Sequence, residues 1–176
     1  MVSISTYNKY LFFWIMIEPR KMRFRASGRN WWFFRLNPVF RHYPSEPVAR
    51  AKVDFMLYWD AGTLYPALAK AIYPHLGLMP KTEEFPAHQK TFDEKLQFLN
   101  DHLIDGPFLT GPNLTIADMS VACSLSFATL VDDEPYKKFP KITEWLEKMN
   151  ADEKYAQVDA GFQTIRKAMK EADTKQ

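Results

Sequence analysis

Downstream of Tyr43, apolar residues recur at helical spacing, and they mark out five or six helices. Val53, Leu57, Ala61, Leu64, Leu68 and Ile72 form the apolar face of a first long helix. Ser45 stands where an N-cap is wanted, and Pro47 lies near the first turn, where proline is tolerated. Pro66 falls inside this helix and is expected to bend it by removing one hydrogen bond. After a connection from Pro74 to Pro86, a second amphipathic helix carries Phe92, Leu96, Leu99 and Leu103, and Asp105-Gly106-Pro107 stops it. Ile116 to Val131 is different in kind. Its only charge is Asp118, and its other polar residues are Ser120, Ser124, Ser126 and Thr129. A helix apolar on nearly every side is a buried one, and its small hydroxyls can bond carbonyls four residues back. It is therefore the expected central helix. Beyond the loop Asp132-Asp133-Glu134-Pro135, Pro140 opens a helix carrying Ile142, Trp145, Leu146 and Met149. Glu153 to Ala172 reads as one broken or two short helices, interrupted near Asp159-Ala160-Gly161. There is no repeat and no convincing β pattern, so the body is all-α.

The start of the central helix carries the sharpest local signal. Gly111-Pro112-Asn113 is a turn, Thr115 is placed as N-cap, and Asp118 sits three residues on, as a capping box requires. Leu114 and Met119 occupy the two positions of a hydrophobic staple around that box. Asp is shorter than the usual Glu or Gln, so the reach-back bond to the Thr115 N–H must be tight.

Composition changes the picture mainly at the N-terminus. The chain has 176 residues and a formal charge of +2, ordinary for one domain with a sizeable core. The charge is uneven: residues 1–44 hold eight Lys or Arg against Glu18 alone. Phe12, Phe13, Trp14 and Trp31 to Phe34 are interleaved with these cations, without sustained periodicity. Three readings stay open. The segment covers an apolar face or is disordered; it is not a native part of the protein; or it stacks on single-stranded nucleic acid. No nucleic-acid recognition fold is visible, which argues against the third. The apolar run Tyr10–Ile17 is far short of the ~20 residues a membrane span needs. It also lacks the flanks of a signal peptide. One cysteine, Cys123, excludes an internal disulfide and fits a reducing, cytoplasmic setting.

Candidate chemistry is sparse. No two of His42, His75, His88 and His102 are three or four residues apart, so a zinc site on helical spacing is unsupported and no metal is expected. Cys123, mid-helix on an apolar surface, reads as inert packing. Asp54 and Asp60 read as solvated or capping carboxylates, and Asp118 as structural. No nucleophile elbow, phosphate-cradling loop or dinucleotide fingerprint is present.

Thr115-Ile116-Ala117-Asp118, with Leu114 before it, resembles the Leu-Thr-Ile-Ala-Asp motif that opens the core helix of the cytosolic glutathione transferase C-terminal domain. Arg50-Ala51-x-Val53-Asp54, Leu57-Tyr58-Trp59-Asp60-Ala61-Gly62-Thr63-Leu64-Tyr65 and Phe139-Pro140-x-Ile142-x-x-Trp145 are similar to further stretches of it. The second of these looks most like the delta/epsilon classes known from insects. The resemblance covers roughly Tyr43 to Lys170. It implies a helical bundle around a buried central helix over residues 45–172, an atypical segment over 1–44 and a short tail over 173–176. It implies that the first long helix (Tyr58, Tyr65, Leu68, Ala69) and the last one (Phe162, Ile165, Met169) line a site for hydrophobic electrophiles. The family's thioredoxin-like N-terminal domain binds the co-substrate glutathione and supplies the Ser or Tyr that stabilises the thiolate. Residues 1–44 do not match it, so no catalytic residue carries over, and tight glutathione binding by this chain is not expected. The resemblance further implies hydrophobic small molecules and a homodimer or family heterodimer as partners. The alternative is a non-catalytic ligand- or protein-binding helical domain.

Overall fold

The computed structural model describes residues 42–103, 106–132 and 134–173. The readings given for the segment before His42, for Asp105 as part of a helix stop and for the last three residues lie outside the described residues. Among the described residues the architecture is all helical. The nearest approach to a sheet is one isolated antiparallel bridge between Phe108 and Gly111.

Helix α1 spans Pro47–Trp59. Its N-cap is Glu46 rather than the expected Ser45: the Glu46 carboxylate accepts from the N–H groups of Val48 at 2.9 Å and Ala49 at 2.6 Å. Pro47 at the first helical position explains the shift, because proline forces the residue before it into extended backbone, the conformation an N-cap adopts. Glu46 has φ −70° and ψ 129°. A wide π-type turn, Asp60–Leu64, follows, and then α2, Tyr65–Ile72. The expected bend at Pro66 takes this form. Pro66 has no N–H to offer, and the Tyr65 N–H reaches past the usual acceptor to the Asp60 carbonyl.

Helix α3, Phe85–His102, buries Phe92, Leu96 and Leu99, and Leu103 just past its end is buried too. Helix α4, Ile116–Ser126, is the spine: every residue from Ala117 to Ser126 is buried. It continues into a 3-10 turn, Phe127–Leu130. It lies against α1 and α2 and against the two helices that follow, α5 (Pro140–Asn150) and α6 (Glu153–Asp173). Ser126 donates to the carbonyl of Ala122, four residues back, at 3.0 Å, as the composition of the helix led one to expect. The N-terminus of α5, opened by Pro140, is capped from another helix: the Asn100 carboxamide oxygen accepts from the Lys141 N–H at 3.1 Å.

The expected interruption at Asp159-Ala160-Gly161 does not occur, and α6 is continuous. Gly in a helix interior costs only about 1 kcal/mol. The burial of Tyr155 in the main core, and of Val158 and Phe162 against Cys123, Phe127 and Leu130, outweighs it.

Candidate functional site

Two buried carboxylates hold the helices in place around the candidate site. Asp118 is fully buried at the start of α4, where the capping box forms. One carboxylate oxygen accepts from the Thr115 N–H at 2.9 Å and the Thr115 hydroxyl at 2.8 Å. The other accepts from the Leu109 N–H at 2.8 Å and the Trp145 indole N–H at 3.1 Å. One side chain thus joins α4, the preceding loop and α5. Met119 is buried beyond the box, and Leu114 packs partly buried against the core. His102 ties the same loop to α3, donating to the Leu109 carbonyl at 2.8 Å.

Asp60 is the second, and it is neither solvated nor a cap. It is fully buried in the wide turn after α1, accepting from the hydroxyls of Ser120 at 2.6 Å and Ser124 at 2.7 Å. The turn swings Asp60 inward, and two serines one helical turn apart on α4 meet it. A buried carboxylate costs a great deal of free energy unless charge-assisted hydrogen bonds of this kind compensate.

The apolar surface lies where α2, the 3-10 turn and α6 converge. Phe127 is its centre. Its ring meets Tyr65 at 6.4 Å, Tyr73 at 6.2 Å and Phe162 at 5.0 Å between centroids. The Tyr65 and Tyr73 hydroxyls are hydrogen-bonded at 2.5 Å. Burial, and then the bond to Tyr73, push the Tyr65 phenol well above its ordinary value. It stays neutral at any physiological pH and offers an aromatic face and a hydroxyl rather than a base. Phe162, Ile165 and Met169 follow at i, i+3 and i+7 on α6, so they share one face; Phe162 is buried, Met169 partly buried and Ile165 exposed.

The structure treats the expected site residues unequally. Tyr65 and Phe162 join the aromatic cluster through Phe127, and Ala69 lies one turn beyond Tyr65, partly buried. Leu68 is wholly inside the core. Tyr58 stands largely exposed on α1, because the wide turn between it and Tyr65 breaks the seven-residue register that would align them. Tyr73 and Phe127 were not singled out from sequence. Their signal was faint: each sits at or just past a helix end, where periodicity stops carrying information.

A second cleft, about 570 Å³, opens between α5 and α6 and takes in none of those residues. Ser126, Glu147, Tyr155, Asp159 and Gln163 are among its walls. Burial raises the Asp159 carboxyl above its ordinary value, with the Gln163 hydrogen bond opposing. Among the described residues no group of three or more His, Cys, Asp or Glu side chains gathers as metal ligands would.

Comparison with known proteins agrees with this arrangement. The family described as "Glutathione S-transferase, C-terminal domain" matches residues 52–148, more than half of the chain. Glutathione S-transferase D6 of Drosophila melanogaster is 32% identical over 104 residues, 58% of this chain and 46% of that protein. The chain therefore matches about half the length of this curated relative. Among solved structures, a Nilaparvata lugens delta-class glutathione transferase is similar at 26% identity and a TM-score of 0.64, covering 96% of this chain and 85% of that one. An epsilon-class glutathione S-transferase from the housefly Musca domestica, at 19% identity, shares the fold, with a TM-score of 0.65 over 97% of this chain and 84% of that one. With the capped spine, the packed helices and these matches agreeing, the chain belongs to the glutathione S-transferase family and carries its C-terminal domain.

Proposed function

We propose that residues 45–172 form the half of a delta/epsilon-like glutathione transferase that receives the hydrophobic electrophile. On this reading Tyr65, Ala69, Phe162, Ile165 and Met169, with Tyr73 and Phe127, make the apolar wall. Leu68 backs it from the core, and Tyr58 stands apart from it. The observation that carries the reading is the continuous aromatic surface from Tyr73 through Phe127 to Phe162. Packed rings of this kind suit flat apolar ligands of varied shape, with few fixed polar contacts.

The chemistry of conjugation requires a thiolate, and stabilising one requires a donor or cation facing the sulfur. The Tyr65 phenol is kept neutral by burial, and Cys123 is buried within α4 and α6 packing. On this reading, glutathione activation belongs to the thioredoxin-like domain that a complete enzyme of the family carries. The chain alone then has little or no transferase activity. Dimerisation with a second copy or a family member, and a cytoplasmic setting suggested by the lone thiol, belong to the same proposal. Among the described residues no helix is long and apolar enough to cross a membrane.

Binding of an apolar fluorescent dye such as anilinonaphthalene sulfonate tests the wall. Dye should bind the folded chain and be displaced by chlorodinitrobenzene, and Phe162→Ala should weaken both by about tenfold, the effect of losing a well-packed ring from a pocket. Unchanged dye affinity in folded Phe162→Ala would place the binding surface elsewhere, with the cleft lined by Tyr155 and Asp159 next in line.

A further inference from the structure

The cleft between α5 and α6 is walled by two helical stripes. Tyr155, Asp159 and Gln163 fall at i, i+4 and i+8 on α6, so they share one face of that helix. Thr143, Glu147 and Asn150, at i, i+4 and i+7, do the same on α5. Leu146, Pro135 and Pro140 add apolar wall. A volume of about 570 Å³ lies within the range of about 300–1,000 Å³ that small-molecule sites occupy. The electrophile reading makes no use of this cleft.

Its hydroxyl and ammonium donors are already committed. Ser126 donates to the Ala122 carbonyl at 3.0 Å, Thr129 to the Ser126 carbonyl at 2.7 Å and Thr143 to the Tyr136 carbonyl at 3.2 Å, while Tyr136 donates to the Leu125 carbonyl. Lys137 is paired with Glu134 at 2.8 Å. Ser126 has one proton and gives it to Ala122, so its 3.3 Å bond with Tyr155 is donated by Tyr155. The oxygen of Tyr155, a residue only 4% exposed, is thereby left as an acceptor. With it stand the half-buried Asp159 carboxylate and that of Glu147. Among the described residues neither of these two forms an ion pair with Lys or Arg, whereas Glu134 and Glu144 are matched by Lys137 and Lys148. Burial raises the Asp159 carboxyl, so its charged form gains from a cation brought beside it. Acceptors without free hydroxyl or ammonium donors, next to apolar wall, select a cation that carries N–H groups and an apolar body. We propose that the cleft binds an organic ammonium ion, its N–H groups donating to Asp159, Glu147 and the Tyr155 oxygen and its body lying along Leu146 and Pro140. A carboxylate or phosphate ligand would meet like charge there.

Fluorescence titration of the full chain with dansylcadaverine, a primary ammonium on an apolar ring system, tests this at neutral pH and low salt. Binding should saturate, and the N-acetylated probe, which keeps the body and loses the charge, should bind about tenfold more weakly. Asp159→Asn should weaken the ammonium probe by about tenfold, the loss of one charge-assisted hydrogen bond, and leave the acetylated probe unchanged. Glu147→Gln changes an exposed side chain and supplies a second reading independent of how Asp159→Asn folds, with an expected loss of about threefold. Anilinonaphthalene sulfonate should bind both variants as it binds the wild type, which separates the cleft from the aromatic wall. Three results would overturn the proposal. One is equal affinity for the charged and acetylated probes. Another is unchanged affinity for the ammonium in the folded variants. The third is no saturable binding up to about 1 mM, the weakest affinity worth calling a site.

Discussion

Asp118 satisfies four donors from three parts of the chain with two oxygens, and that makes its chemistry hard to replace. Ala at this position leaves buried N–H groups of Leu109, Thr115 and Trp145 unpaired, each at about 1–3 kcal/mol. Asp118→Ala should therefore destabilise the chain by about 3–5 kcal/mol in urea unfolding, near the upper end for a single substitution. Asp118→Asn keeps the shape but points an NH₂ at one donor pair, so it should lose about 2 kcal/mol rather than nothing. Equal stability of Asn and wild type would mean that the carboxylate's second oxygen is dispensable. The box was legible because Thr115 and Asp118 are three residues apart. The Leu109 and Trp145 bonds were not, since nothing local links positions 109 and 145 to 118. Asp60 teaches the same lesson more strongly: its partners Ser120 and Ser124 lie on a different helix, and in sequence it looks like a surface acid.

Glu46 titrates in a range that is easy to reach. Its bonds to the Val48 and Ala49 amides lower its carboxyl below the ordinary 4.5. A group depressed on folding stabilises fully above its unfolded value and loses that contribution as pH falls through the folded one. Hydrogen-exchange protection of the Val48 and Ala49 amides should thus be constant above about pH 5 and fall below pH 4, a window set by the ordinary carboxylate range. In Glu46→Gln the protection should no longer change with pH, and a persistent acid transition there would assign the titration to another group.

Among elements, the positions of α1 to α5 follow from periodicity and proline placement, because each is amphipathic or, for α4, wholly apolar. Two departures share a cause. The wide turn at Asp60–Leu64 and the unbroken α6 both come from packing between segments distant in sequence, which overrides a local breaker. Pro66 announced a disturbance in the first long helix but not its form, a wide turn that splits it into α1 and α2 and separates Tyr58 from Tyr65. Gly161 announced a stop that Tyr155, Val158 and Phe162 overrule by burial. The loop before α4 behaves oppositely, with local geometry in control. Gly111 has φ +133°, and its N–H and carbonyl both bond to Phe108, at 3.3 and 3.2 Å. Ala cannot adopt that backbone without strain, so Gly111→Ala should destabilise by more than about 1 kcal/mol even though a Cβ meets open space. A neutral result in thermal melting would show that the loop relaxes independently of α4.

At the scale of the molecule, the fold class and the family were readable from a few motifs, since Thr115 to Asp118 and Phe139 to Trp145 encode one junction, the contact of α4 with α5 through Asp118. The candidate wall was readable only in part. Tyr65 and Phe162 were placed by resemblance, whereas Tyr73 and Phe127 emerge from the convergence of three elements. The central claim is that these helices bring an apolar electrophile surface without the means to activate a thiol. Its most direct test is the initial rate of conjugation of glutathione to chlorodinitrobenzene, measured against glutathione concentration with the chain shown by dye binding to be folded. The account predicts a rate equal to the protein-free reaction at every glutathione concentration. A rate that scales with protein, saturates in glutathione and falls in Phe162→Ala would contradict it, and would place thiolate activation within this chain.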